Sequence, residues 1–479
     1  MINDGSPITN NGQLFLLLAT DNMKLGTVLS GGRWTFDGQR CLRQRTAELL
    51  AHSMWRCDVD FVSGVATLTS SERNLYFWCL LYNLLNRNYT SVNLEVWMRP
   101  EDFSADSPGR VQKVLGSGFS YWAFIPDPLP PKLDYVDSLV VALGEANRAM
   151  GEFSGLLAGS PRAELLTRPL LRKEAVSSSQ IEGTTSEITD LYLFEATDES
   201  SGLPEDVREV SNYLKALEYG LDRIKSLPIS TRLFRELHAI LMKDVRGGHA
   251  YPGELRKTQN WIGKPGSTLN EADFVPPPSE ELNRCLSDLE VFINSESKIP
   301  PLVKLALVHY QFEAIHPFVD GNGRVGRLLI ALLKTSWGML DQPGLYLSGY
   351  FEVNRLEYYS RLRSVSFDGE WNPWVLFFTE AVQEQSNFGK RKLREMMNLR
   401  NDWIQRVRSL SSSLPMALID HLFENPILTI PQASEKLGVT YVSARRAIES
   451  LCKNGILTPQ NGSKYAKKFI ASELLEMIK

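Results

Sequence analysis

The sequence predicts a mainly α-helical protein with one small β-hairpin and a helix-turn-helix tail, and three observations carry that prediction. Apolar residues recur at three- and four-residue steps through Leu139, Leu143, Ala146 and Met150, and again through Leu302, Leu305, His309 and Phe312, the period that buries one helix face. The stretch Thr258 to Ser267 has hairpin chemistry, with Trp261 and Ile262 before Gly263 and a Pro-Gly turn, and Phe274-Val-Pro-Pro-Pro278 as an extended exit. From Ala417 to Leu451 the pattern reads helix, helix, glycine turn, helix.

Taken in order, residues 1–97 carry no motif and no sustained period. At Met98 the character changes, and the prolines between Tyr121 and Pro131 block regular helix and predict an extended, docked arm. Helical periodicity then runs to Glu195, yields to the hairpin, and returns at Pro301 and from Arg324 to Lys334. A charged helix, Lys390 to Arg408, and a serine-rich spacer, Ser409 to Ser413, precede a small separate domain. The expected boundaries are 1–97 (extension), 98–225, 226–385 (catalytic), 386–415 (helix and linker) and 416–479.

With 479 residues the chain exceeds one ordinary core, and 43% hydrophobic with 23% charged residues is the composition of a folded globular protein. The net charge of -4 excludes whole-molecule attraction to nucleic acid and leaves only a local basic patch for it. Five scattered cysteines without a CxxC pair fit reduced thiols. No basic N-terminal leader and no bilayer-length apolar run is present, so the expected location is cytoplasmic, without membrane contact.

The chemistry concentrates in His316-Pro-Phe-Val-Asp-Gly-Asn-Gly-Arg-Val-Gly-Arg327. A glycine loop entering a helix offers unpaired N–H groups to an anion. Arg324 and Arg327, one turn apart, can fork onto phosphate oxygens. Asp320 is a hard carboxylate of the kind that shares Mg²⁺ with substrate phosphates, and His316 can accept a proton from a hydroxyl. An EF-hand is excluded, because counting from Asp320 the sixth position is Val325 and the twelfth Ala331, and no P-loop motif occurs anywhere.

This stretch resembles the signature of Fic domains, His-x-Phe-x-Asp/Glu-Gly-Asn-Gly-Arg-x-x-Arg, with all eight specified positions matched, a coincidence of about one in ten billion per starting position. The resemblance implies a protein adenylyltransferase, in which His316 deprotonates a Ser, Thr or Tyr hydroxyl of a target protein that attacks the α-phosphorus of ATP. It implies that Asp320 holds Mg²⁺, that Gly321, Asn322, Gly323 and Gly326 with Arg324 and Arg327 take the phosphates, and that Phe318 packs beneath the loop. Ser178-Ser-Gln-Ile-Glu182-Gly183 is similar to the family's inhibitory motif, placed N-terminal to the signature. This implies that Ser178 and Glu182 restrain the enzyme, with Glu182 paired to Arg327.

Further resemblances extend from about Arg99 to the C-terminus. Tyr121 to Pro131 and Arg168 to Glu174 look like the Fic N-terminal domain. Trp261, Ile262 and Gly263 look like the flap that docks a target by strand addition. Tyr358 and Tyr359 stand where relatives have tyrosines near adenine. Relatives often begin near Met98, so residues before it are expected to be dispensable for catalysis. The tail resembles a winged helix with Ser443, Arg445 and Arg446 on its recognition helix and Lys464, Lys467 and Lys468 on its wing. That tail leaves DNA binding, protein contact and homodimerisation all open. AMP removal and a nucleotide-sensing DNA-binding regulator remain the alternatives to AMP transfer.

Overall fold

The computed structural model describes residues 98–478, except 116–119, 161, 197–203, 246–250, 265, 341–342 and 461–466, together with two short strands nearer the N-terminus. The chain divides into two compact units, residues 1–94 and 95–479. Of the first, the antiparallel pair β1 (Val28–Leu29) and β2 (Gly32–Arg33) is described. The expected extension over residues 1–97 otherwise lies outside the described residues, as does Lys464 of the expected wing.

The second unit opens with an antiparallel hairpin, β3 (Gly109–Leu115) and β4 (Ser120–Pro126), in register from Gly109 opposite Pro126 to Leu115 opposite Ser120. The proline-rich arm is thus half strand. Its β-favouring run Tyr121-Trp-Ala-Phe-Ile comes before the prolines, which mark the strand's end rather than preventing it. Phe124 buries against Phe103 and Phe274 in a small core that also holds Met98 and Phe367. Its N–H donates to Val275 O at 2.9 Å. The Thr258-to-Pro278 segment closes through a single antiparallel bridge, Ile262 with Phe274.

Helices make up most of the rest: α1 (Asp137–Ala158), α2 (Ala163–Ile181), α3 (Ile188–Glu195), α4 (Glu205–Arg223), α5 (Thr231–Leu241), α6 (Leu282–Asn294), α7 (Pro301–Ile315), α8 (Asn322–Ser336), α9 (Ser348–Val353), α10 (Arg355–Asp368) and α11 (Trp371–Val407). α7 is mostly apolar and buried at every position from Leu302 to Phe312, and is the central helix, with α8 beside it. α11 packs along α1 so closely that a Cβ at Gly389 would lie 2.9 Å from the Phe153 ring. Trp374 of α11 is fully buried and donates Nε1–H to Ala306 O at 3.0 Å, which pins the long helix to α7. Truncating such a side chain costs about 3–5 kcal/mol.

The tail is α12 (Leu414–Leu422), β5 (Ile427–Thr429), α13 (Ile430–Leu437), α14 (Tyr441–Lys453), β6 (Thr458–Pro459), β7 (Lys468–Ile470) and α15 (Ser472–Ile478), with strand order β5-β7-β6. Thr429 and Thr440 cap α13 and α14, and Gly438, at φ 61°, makes the turn between them. These elements pack on the helices instead of standing off on the serine spacer. Trp403 of α11 donates to Glu473 at 2.7 Å, Arg400 pairs with Asp420 at 2.7 Å, and Arg168 of α2 pairs with Glu424 at 3.1 Å. Among the described residues no helix is long and apolar enough to cross a membrane.

Candidate active site

α7 ends because His316 turns left-handed, at φ 51° and ψ 61°, the conformation that costs an L-residue about 1 kcal/mol. Contacts to its carbonyl oppose that cost: Arg256 Nε donates to His316 O at 2.9 Å and Asn260 Nδ2 at 3.3 Å. The ring's Nδ1 faces Glu313 O at 3.2 Å; a carbonyl only accepts, so Nδ1 carries the proton and Nε2 keeps its lone pair. Burial, aided by the Arg256 charge, lowers the ring's pKa to about 4, so the imidazole is neutral at physiological pH. A neutral ring with a free Nε2 can act as a base.

The loop after it is braced from within. Asn322 accepts Phe318 N–H at 2.8 Å and donates to Phe318 O at 2.8 Å, so its side chain serves the loop, and its main chain is what can face an anion. His238 stacks on Phe318 with centroids 3.9 Å apart. It accepts Gly253 N–H at 2.9 Å, which fixes the proton on Nε2 and lets that nitrogen donate to Asp320 O at 3.0 Å. Gly321 stands at φ 76° as the N-cap of α8, and a Cβ there would meet Met242 Sδ at 2.9 Å. The Asp320 carboxylate accepts Gly321 N–H at 2.6 Å, and its side chain is 57% exposed beside the loop.

Glu182 comes to this loop from the end of α2, where Gly183, at φ 99°, ends the helix. Arg327 Nη2 donates to Glu182 Oε1 at 2.6 Å and to Ser178 O at 2.9 Å, and Nε donates to Ser178 Oγ at 2.9 Å. The carboxylate also lies over the first turn of α8, since a Cβ on Gly323 would stand 2.3 Å from Glu182 Oε1. An anion is thus already seated at the helix N-terminus. Burial pushes the Glu182 carboxyl up, but the charge and hydrogen bond of Arg327, with Arg324, outweigh it and hold its pKa below the usual value.

The structure brings Ser178, Glu182, Gly323, Arg327 and His316 together, and the Tyr358 and Tyr359 side chains lie near enough to Arg327 to act on its charge. Tyr358 is 1% exposed, its hydroxyl 2.8 Å from His309 Nε2 and its ring stacked on Phe351. It is a core residue, because its side of α10 faces α7. That leaves Tyr359, 41% exposed, with its hydroxyl 3.5 Å from Ile181 O. At Gly326 a Cβ would meet Glu313 Oε1, so this glycine makes room for a buried carboxyl. Trp261 and Ile262 are exposed, and Asn260 ties their segment to the loop by donating to Phe318 O at 2.8 Å.

Four neighbours of the loop escape a reading of local pattern. Glu209 of α4 pairs with Arg324 at 2.9 Å, and that arginine is 4% exposed. Arg256, His238 and Glu313 complete the set. Burial raises the Glu313 carboxyl to about 8, and its Oε1 has no hydrogen-bond partner. Arg256 and His238 both precede the expected hairpin in sequence, but only tertiary contact reveals what they hold.

Residues 228–333 match the Fic/DOC family, and residues 140–222 match the Fic/DOC family N-terminal domain. Over 166 residues the chain is 30% identical to the protein adenylyltransferase Fic of Drosophila grimshawi and 31% identical to that of Drosophila virilis. Each match spans 34% of this chain and 30% of the relative's length. Among solved structures, a Fic family protein from Desulfovibrio desulfuricans G20 aligns at 20% identity and TM-score 0.47, covering 71% of this chain and 98% of that one. Fic-1 from C. elegans aligns at 21% identity and TM-score 0.43, covering 54% and 74%.

Proposed function

Because the chain is a Fic-domain protein, we propose that it transfers the AMP moiety of ATP to a hydroxyl of a target protein and is held in check by Glu182. The observation that carries this reading is the convergence of a neutral His316 with a free Nε2, the N-terminus of α8 at Gly323, and Arg327, the last two covered by the Glu182 carboxylate. The relatives named protein adenylyltransferase support it at the level of the family.

In this reading His316 Nε2 takes the proton of the attacking hydroxyl, whose oxygen bonds to the α-phosphorus as the bond from that phosphorus to the bridging oxygen of the β-phosphate breaks and pyrophosphate leaves. The N–H groups at the start of α8 neutralise charge growing on the phosphates. Arg327 grips the far end of the triphosphate once Glu182 lets go. Arg324, paired with Glu209, adds a second positive charge beside the loop. Mg²⁺ suits Asp320, an exposed single carboxylate. Among the described residues no three His, Cys, Asp or Glu side chains could hold a metal by themselves, and substrate phosphates and water would supply the other ligands. Bound there, the cation would neutralise phosphate charge. The segment at Trp261, Ile262 and Gly263 is the docking strand for the target, read by main-chain pairing.

One observation favours a second reading, AMP removal: Glu182 reaches into the site close enough for its charge to act on His316, where a carboxylate could orient water. Helix α14 exposes Arg445 and Arg446 and keeps Ser443 half-buried, with Tyr441 and Val442 also exposed. This leaves the tail, read as a winged helix, as a contact surface for DNA, for another protein or for a second copy. The test is incubation of the Glu182→Gly protein and a lysate with Mg²⁺ and ATP labelled at either the α- or the γ-phosphate. Protein label from α-ATP alone supports AMP transfer. Label from γ-ATP would replace it with phosphoryl transfer, and loss of label from a pre-modified protein incubated with the wild type but not with Glu182→Gly would replace it with removal.

A further inference from the structure

We infer that Arg256 is the positioning residue for His316, holding its main chain in the left-handed conformation and registering it against the flap segment. The inference rests on the reading of His316 as the base. Arg256 is 3% exposed, and among the described residues no carboxylate forms an ion pair with it. A buried guanidinium without a counter-ion costs several kcal/mol unless its donors are met. Here they go to carbonyls: Nε to His316 O at 2.9 Å, Nη2 to Pro277 O and to Ile315 O at 3.4 Å, and Nη1 to Thr258 O at 3.5 Å. Its own N–H donates to Pro317 O at 3.0 Å.

These partners fall into two groups. Ile315 and His316 present the carbonyls at the C-terminal end of α7, where the helix dipole favours a cation. Thr258 and Pro277 belong to the entry and the exit of the flap segment, whose bridge lies a few residues on at Ile262 and Phe274. One side chain therefore joins both arms of the flap to the carbonyl of the residue that does the chemistry. Asn260 repeats the link with bonds to His316 O and Phe318 O. A helix cap alone would need only the first group. A target pressed onto the flap would load the same bonds that orient the base.

The charged groups acting on His316 are Arg256, Glu182 from the end of α2 and Asp320 from the loop; those acting on Arg256 are Tyr121 of β4, Glu280 and Cys285 of α6. Removing the Arg256 cation takes away an influence that lowers the ring's pKa, so the ring's titration moves up.

The test uses the full chain carrying Glu182→Gly, alone and with Arg256→Met, Arg256→Lys or Asn260→Ala. Folding is checked by circular dichroism, ATP affinity by calorimetry, AMP transfer by label, and His316 titration by NMR of labelled histidine assigned through His316→Ala. Arg256→Met is expected to lower kcat about tenfold or more while the Kd for ATP stays within about twofold. The His316 midpoint should rise, and less so in Arg256→Lys, which keeps the charge. Asn260→Ala should lower kcat in the same direction with ATP affinity retained, and it serves alone if Arg256→Met does not fold. ATP affinity and kcat falling in parallel, or an unchanged His316 midpoint in folded Arg256→Met, would overturn the inference. If no variant transfers AMP and the midpoint still rises, the positioning stands and the functional reading fails.

Discussion

Glu182 Oε1 stands 2.6 Å from Arg327 Nη2 and lies over Gly323 at the start of α8, so one carboxylate occupies both the arginine and the helix end that a phosphate would use. Glu182→Gly is expected to raise AMP transfer and ATP affinity about tenfold or more, because the two charge-assisted contacts become available to ATP. The same change leaves Arg327 with Ser178 alone. The ligand-free variant should therefore lose about 1–3 kcal/mol of stability in urea unfolding, and saturating ATP should restore more stability to it than to wild type.

Glu209 holds Arg324 from below at 2.9 Å. Glu209→Ala would leave the buried guanidinium to the longer Asp320 contact at 3.9 Å, and the expected cost is about 3 kcal/mol in urea unfolding, with transfer activity falling even in the Glu182→Gly background. Glu209→Gln, which keeps the shape and one acceptor, should lose less of both. Activity that rises in Glu209→Ala would mean that Glu209 is a second restraint on the arginines.

The adjacent tyrosines should separate cleanly. Tyr358→Phe removes the bond to His309 and should cost about 1 kcal/mol of stability with ATP affinity unchanged. Tyr359→Ala should weaken ATP binding about tenfold with the melting temperature nearly constant, since this ring is 41% exposed. Calorimetry with ATP and a thermal melt on each variant distinguish the two.

Burial lowers His316 to about 4, so the base form is already present well below neutrality. Activity depends on the neutral ring and is lost as pH falls through that value. The pH profile of the Glu182→Gly protein should therefore be flat from about pH 5.5 to 7.5. Removing Glu182, whose charge raises the ring's pKa, moves the limb further toward acid. A half-maximal point near 6.5 would show a solvent-exposed imidazole.

Much of this was legible in the primary structure because it is written locally. The twelve residues from His316 to Arg327 contain the histidine, the glycine loop and both arginines, and Ser178 and Glu182 share one helix face. The helix periods were legible for the same reason. What the sequence hid is carried by contacts across long separations. Glu209 meets Arg324 across 115 positions, and His238 meets Asp320 across 82. The β3–β4 hairpin was obscured because the prolines after Phe124 drew the reading toward an extended arm, although the strand ends where they begin. Tyr358 and Tyr359 differ by one position, a turn of about 100° on a helix, and only packing against α7 decides which ring is buried. The tail's attachment through Trp403, Arg400 and Arg168 likewise depends on partners that no local pattern names.

The most direct test of the central claim is intact-mass spectrometry of proteins from a lysate treated with Mg²⁺, ATP and either Glu182→Gly or Glu182→Gly with His316→Ala. The account predicts at least one protein heavier by a single AMP moiety with the first enzyme and unmodified with the second. Equal modification by both would show that His316 is not the base, and no modification by a folded, ATP-binding Glu182→Gly protein would contradict AMP transfer itself.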